Sequence, residues 1–241
     1  MQPEQETLVA SDDIELAALA AELMGRAIAS AVRDRGVARV ALSGGSTPRP
    51  AYQRLAQLAL PWDRVEWFWV DERAVPPDHT RSNFGAAAAD LGFDRLPLSA
   101  GTVHRMKGET ADLASAAADY ERLLRATFGV ASAVAFDVMT LGVGDDGHTA
   151  SLFPGMGTTA IADRLVIDVP AQPDKGLEAR LSLTAPVIQE ARLALVLAAG
   201  AKKREVLVQA RSAGSEDAIP SRLLQRCRGH LVWLVDPAAA P

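Results

Sequence analysis

Cysteine is almost absent from this chain: Cys227 is the single example in 241 residues. One thiol cannot close an internal disulfide or complete a cysteine metal cluster, so a disulfide scaffold and a zinc ribbon are both excluded. No apolar run approaches the roughly eighteen residues of a membrane span. Positive charge is also short, with 25 Lys and Arg against 30 Asp and Glu, a net charge of -5 and a pI near 5.4. That balance argues against a nucleic-acid surface. The opening MQPEQETLVA lacks the basic region and apolar core of a signal peptide. Missing too are the G-x-x-x-x-G-K-[ST] of a nucleotide P-loop, the H-E-x-x-H of a zinc protease and the G-x-S-x-G of a serine elbow. A cytoplasmic protein without membrane or nucleic-acid partners is expected. An acidic total does not bar an anionic ligand, because screening over about 8 Å leaves its binding to local cations and helix ends.

What is present is an ordinary globular composition, 49% hydrophobic and 23% charged, with enough chain for a sizeable core. Ile14, Leu16, Leu19, Leu23, Ala27, Ile28 and Ala31 recur at three- and four-residue spacing, with Asp12 and Glu15 in capping-box relation. The spacing predicts a helix that stops near Gly36. Residues 1–10 before it are read as flexible. Apolar runs at 37–42, 65–70, 135–140, 164–169, 180–184, 193–198 and 231–235 read as strands, with a further short one at Val103 and His104. Between them fall helices carrying Tyr52, Leu55 and Leu58, then helices at 86–91, at 111–128, from Pro186, at 202–210 and around 221–225. No repeat or linker interrupts the alternation. It predicts one α/β domain, 1–241, with a mostly parallel sheet flanked by helices.

Such sheets collect ligands at the carboxyl ends of their strands, and four segments stand in that position. After 37–42 comes SGGSTP, in which Ser43, Gly44, Gly45, Ser46 and Thr47 combine bare backbone with hydroxyls and Pro48 suits a first helical turn. It reads either as an anion cradle at a helix N-terminus or as a glycine turn with hydroxyl caps. Asp71, Glu72 and Arg73 close the 65–70 strand, where three unpaired charges would be costly to bury; they form either a functional cluster or a solvated rim. The 135–140 strand opens into LGVGDDGHTASLFPG (141–155), where His148 follows Asp146 by two positions. Imidazole is the side chain whose unperturbed pKa is near neutral, so His148 is a general base, or else a histidine capping a short helix beside a turn aspartate. GAKK (200–203) begins the helix after 193–198. Lys203 and Arg180 are the cations best suited to neutralise a phosphate on SGGSTP.

Gly142, Gly144 and Gly147 also fit G-x-G-x-x-G, with Asp168 downstream. Asp145 and Asp146 would set carboxylates against a pyrophosphate, however, and Pro154 would interrupt the helix that motif needs. A dinucleotide-dependent enzyme is the weaker rival on that ground. His79, His104 and His230 have no partners at ligand spacing, so no metal is expected.

Assembled in order, ALSGGSTP (41–48), VDER (70–73), SNF (82–84), GVGDDGHTASLFPG (142–155), RLSLT (180–184) and GAKK resemble the glucosamine-6-phosphate isomerase/6-phosphogluconolactonase family, and its lactonases in particular. The resemblance spans nearly the whole chain. It implies the fold of glucosamine-6-phosphate deaminase and ribose-5-phosphate isomerase, no cofactor, and hydrolysis of 6-phospho-D-glucono-1,5-lactone to 6-phospho-D-gluconate in the oxidative pentose phosphate pathway. Deaminases of the family end the histidine loop with asparagine, glutamate, proline and glycine; here stand Leu152, Phe153, Pro154 and Gly155, without the carboxylate that helps open an amino-sugar ring. The resemblance also implies roles. The 43–47 loop, Arg180 and Lys203 hold the phosphate; His148 activates water and Asp146 orients it. Arg73 and backbone N–H groups of the glycine loop stabilise the oxyanion, Gly144 stands among the substrate-binding residues, and Asp71 and Glu72 position hydroxyls or Arg73. Beyond the small sugar-phosphate substrate no obligate partner is expected. A non-catalytic sugar-phosphate sensor and an amino-sugar-phosphate deaminase are the alternatives; the sensor would normally carry a DNA-binding segment, and none is visible before Asp12.

Overall fold

Strand and helix alternate along the chain, of which the computed structural model describes residues 4–129 and 134–241. The described strands are β1 Gln5–Val9, β2 Ala38–Leu42, β3 Val65–Trp69, β4 Asp71–Arg73, β5 Val138–Leu141, β6 Val166–Val169, β7 Arg180–Leu183, β8 Leu193–Ala198 and β9 His230–Val235. The α-helices are α1 Asp13–Arg35, α2 Arg49–Leu55, α3 Asn83–Leu91, α4 Leu113–Phe128, α5 Ala185–Gln189 and α6 Lys202–Ala210. Six strands form a parallel sheet in the order β1-β9-β8-β5-β2-β3, and β4-β7-β6 make a small antiparallel one.

Strands covered on both faces need apolar side chains at successive positions, and every residue of β8, LALVLA, is buried. The pleat then divides them between two cores. Val40 and Leu42 join α1, α2 and α3 on one face, while Ala41 joins α4, α5, α6 and the small sheet on the other. α1 starts where its cap predicts: Asp12 Oδ1 accepts from Glu15 N–H at 2.8 Å, and Glu15 Oε2 accepts from Ser11 N–H at 2.6 Å. Gly36 ends it in the left-handed region, φ 78°.

Four expectations need correction. Residues 5–9 are not flexible: they form β1, paired in register with β9, while residues 1–3 lie outside the described residues. Helix α2 ends at Leu55, so Leu58 lies beyond it in a turn. The segment at 221–225 is a 3-10 helix, Pro220–Arg226. Asp71–Arg73 does not merely close the 65–70 strand but forms β4, and the strands expected at 164–169 and 180–184 pair with one another and with β4 rather than with the main sheet. Val70 is the joint, because its N–H donates to Leu42 O at 2.9 Å in one sheet while its carbonyl accepts from Leu183 N–H at 2.8 Å in the other.

The topology places the site. From β2 the chain runs outward to β3, whereas from β5 it turns the other way to β8, and β2 and β5 are neighbours. The loops that follow them therefore part over a topological switch point, the usual ligand crevice of such sheets.

Glu121 ties α4 to the residues leading into β6, accepting from Leu165 N–H at 3.0 Å, Arg164 Nε at 3.0 Å and Arg125 Nη2 at 2.9 Å. Partial burial works against its charge, but these donors outweigh it and hold the carboxyl at about 2, below its ordinary 4.5. A depressed carboxylate contributes stability above its unfolded pKa and loses it as pH falls through the folded one. Glu121→Gln should therefore lower stability at pH 7 by at most ~3 kcal/mol. Chemical denaturation should show that difference shrinking between about pH 4.5 and 2; a difference independent of pH would refute the ionic account.

Candidate active site

A cavity of about 720 Å³ opens at the switch point and draws on each of the segments at the strand ends. Residues 43–47 follow β2 and form one wall. Ser43 is drawn inward: its N–H donates to Thr140 Oγ1 at 2.9 Å, its hydroxyl lies 3.3 Å from the same oxygen, and its carbonyl accepts from Tyr52 O–H at 2.9 Å. Burial pushes the Tyr52 phenol up to about 12, so it stays neutral and clamps the loop to β5 and α2. Pro48 is the N-cap of α2 and Pro50 lies inside its first turn.

The loop after β5 folds back on itself. Gly144 N–H donates to His148 O at 2.8 Å, and Asp146 Oδ1 accepts from His148 N–H at 3.0 Å while standing 2.6 Å from His148 Nδ1. Partial burial pushes the Asp146 carboxyl up, but the His148 ring and backbone bonds prevail and hold it at about 2. An ionised carboxylate only accepts, so Nδ1 carries the proton and Nε2 is left as the basic nitrogen. The ring packs on Phe153, with centroids 4.7 Å apart. A Cβ on Gly144 would lie 2.1 Å from the imidazole, and one on Gly44 would lie 1.7 Å from Asn83 Oδ1. Both positions need glycine for space, and Ala150 nearby takes a left-handed φ of 51°.

Gly144 lines the cavity and provides room for the imidazole, while its N–H is spent on His148 O. Glu72 departs from expectation and does not line the cavity. Its buried carboxylate accepts from Arg73, Asn83 and Phe84 N–H groups and from the Ser82 hydroxyl, all between 2.8 and 2.9 Å. Burial raises its pKa despite these donors. Glu72 holds the start of α3 in place and has no group left for substrate.

Three cations line the cavity. Arg73 and Arg180 are directly opposite one another across β4 and β7. Like charges so placed repel, and neither Nε finds a partner. Arg180 Nη1 lies 3.8 Å from Asp71 Oδ2 and its guanidinium stands 5.2 Å from the Phe153 ring centroid. Desolvation lowers its pKa, against the pull of Asp71. Arg73 donates to Arg81 O at 2.6 Å. Lys203, at the start of α6, is already occupied by Asp145 at 2.5 Å and Val143 O at 2.8 Å, and its neighbour Lys202 does not reach the cavity.

Sequence reasoning missed several parts of this assembly. Asp71 is a hub: Oδ2 accepts from Ser151 O–H at 2.6 Å, and Asn83 Nδ2 donates to its carbonyl at 2.9 Å and to Oδ1 at 3.2 Å. Ser151 in turn donates its N–H to Ser182 Oγ at 3.1 Å. Asn83 belongs to the SNF segment but had been given no role; its capping Ser82, whose side chain accepts from Gly85 N–H, was the available signal. The G-x-G-x-x-G match leads to no helix, since after Gly147 the chain makes turns and one isolated bridge, Thr149 to Leu152, before a 3-10 helix at Thr158–Ala160. Among the described residues no three His, Cys, Asp or Glu side chains converge as a metal site.

A histidine backed by an ionised carboxylate, beside three cations in a switch-point crevice, is the equipment of an enzyme acting on a small anionic substrate. The chain belongs to the family described as glucosamine-6-phosphate isomerases/6-phosphogluconolactonase, whose profile matches residues 11–233. It is 38% identical over 234 residues to the 6-phosphogluconolactonase of Nostoc, covering 96% of this chain and 95% of that one. With the human 6-phosphogluconolactonase it shares 34% over 238 residues, 96% of this chain and 91% of the other. The solved structure of the Trypanosoma cruzi 6-phosphogluconolactonase superposes with a TM-score of 0.86 at 27% identity, over 99% of this chain and 97% of that one. A monomeric glucosamine-6-phosphate deaminase has the same fold, with a TM-score of 0.78 at 21% identity over 98% of both chains.

Proposed function

We propose that this chain hydrolyses 6-phospho-D-glucono-1,5-lactone to 6-phospho-D-gluconate, the lactone-opening step of the oxidative pentose phosphate pathway. The observation that carries the reading is the His148–Asp146 pair, 2.6 Å apart, in one cavity with Arg73, Arg180 and Lys203. The substrate phosphate rests on the 43–47 loop, held by Arg180 and by Lys203 once it leaves Asp145. His148 Nε2 takes a proton from water as the water oxygen bonds to the lactone carbonyl carbon, and Arg73 meets the charge that develops on the carbonyl oxygen. The bond from that carbon to the ring oxygen then breaks, and the imidazolium returns its proton to the departing oxygen. Asp71, bonded to Ser151 and Asn83, steadies Arg180. No cofactor enters this scheme. A cytoplasmic location, without nucleic-acid, membrane or obligate protein partners, belongs to the same proposal.

The test is an assay with freshly generated lactone, spontaneous hydrolysis being subtracted. Opening should rise in proportion to enzyme. Glucosamine 6-phosphate should release no ammonia, because residue 153 is a buried phenylalanine and supplies no carboxylate. Ammonia release with an untouched lactone would overturn the assignment.

A further inference from the structure

Outside the cavity, residues 214–221 grip the His148 loop at both of its limbs. On the near limb, Ser221 N–H donates to Gly147 O at 2.9 Å. Ile219 fills the space beside Gly147, where an added Cβ would lie 2.9 Å from Cγ2 and 3.0 Å from Cδ1. On the far limb, Asp217 accepts twice: its carbonyl takes Gly155 N–H at 2.8 Å and its Oδ1 takes Gly157 N–H at 2.7 Å. His148 and the Phe153 ring it packs on lie between these two grips. Gly147, Gly155 and Gly157 all have positive φ, 87°, 73° and 66°. A backbone turning this way forms no regular ladder, so its N–H groups need partners from elsewhere. The gripping segment is itself tied down, since Arg222 donates from Nε to Gln209 O at 3.1 Å on α6 and from Nη1 to Ser215 O at 2.9 Å.

We propose that Asp217 is a positioning residue for the reaction. It acts as a hydrogen-bond acceptor, not as a charge, and keeps the far limb of the loop registered so that Phe153 and His148 hold their mutual geometry. The proposal rests on the lactonase reading above. Displacement of a catalytic group by about 1 Å can cost on the order of a hundredfold in rate, and the loss of one of several anchors should cost less. The role does not touch the phosphate wall, which belongs to the 43–47 loop and Arg180.

Asp217→Ala and Asp217→Asn separate the possibilities, since asparagine keeps an acceptor oxygen at the same reach. Asp217→Ala should lower kcat about tenfold while the Kd for 6-phosphogluconate, measured by calorimetry, stays within about twofold and the thermal melt confirms a folded protein. Asp217→Asn should recover most of the lost turnover. Wild-type turnover in Asp217→Ala, equal impairment of the two variants, or parallel losses in kcat and Kd would each overturn the proposal. Should the unaltered protein open no lactone, the functional reading alone fails. Hydrogen exchange at residues 147–157 then still decides the positioning role: about tenfold faster in Asp217→Ala and near the unaltered rate in Asp217→Asn supports it, and unchanged exchange in both sinks it.

Discussion

His148→Ala should lower turnover of the lactone by roughly a hundred- to ten-thousand-fold, the range expected for a general base. Binding of 6-phosphogluconate should stay close to its original strength, because the 43–47 loop and Arg180 are untouched. The size of the effect follows from the tautomer. Asp146 is ionised down to about pH 2, so it can only accept the Nδ1 proton, and the lone pair is on Nε2. His148→Asn keeps a polar group but no nitrogen base, and should fail almost as badly. A folded His148→Ala protein with near-normal turnover would make His148 structural, and Asp71 would become the first candidate for the base.

Arg180→Ala is expected to have the largest effect on binding, weakening 6-phosphogluconate by about 10- to 150-fold, equivalent to ~1.5–3 kcal/mol for a charge-assisted hydrogen bond. The residue is only 8% exposed, its Nε is unpartnered, and its nearest carboxylate oxygen lies 3.8 Å away on Asp71. A buried cation with unused donors gains most from an arriving anion. Lys203→Ala should cost less, since the ammonium already has Asp145 and Val143 O and exchanges one partner for another when ligand binds. Arg180→Lys should recover only part of the loss, because it keeps the charge but not the planar fork. Calorimetry on the three variants, with melts to confirm folding, checks the order; unchanged affinity in Arg180→Ala, or a larger loss in Lys203→Ala, would remove Arg180 from the anion site.

What the amino-acid order alone determined was whatever depends on local periodicity and on neighbours along the chain. The helix α1 with its Asp12 cap, the apolar β8 and the helix α6 at 202–210 all fall where their patterns place them. The segments at the strand ends were legible too, because glycine-rich and charged residues that interrupt an apolar strand mark its carboxyl end. Strand β1, QETLV, was not: it is a polar edge strand whose definition comes from pairing with β9, more than two hundred residues away. Glu72 was misread because Asp71–Arg73 read as the end of the 65–70 strand and not as a strand of a second sheet. Once Asp71–Arg73 pairs with β7, the pleat sends Asp71 and Arg73 to the cavity side and Glu72 to the other, into the N–H groups at the start of α3. Tertiary structure alone decided which donors and acceptors remain free, because Lys203 finds Asp145 and Asp71 finds Ser151, partners that proximity along the chain does not select. Composition offers a site its groups, but only the folded arrangement shows which of them are already spent, since every buried donor or acceptor must be satisfied by whatever the packing brings within reach.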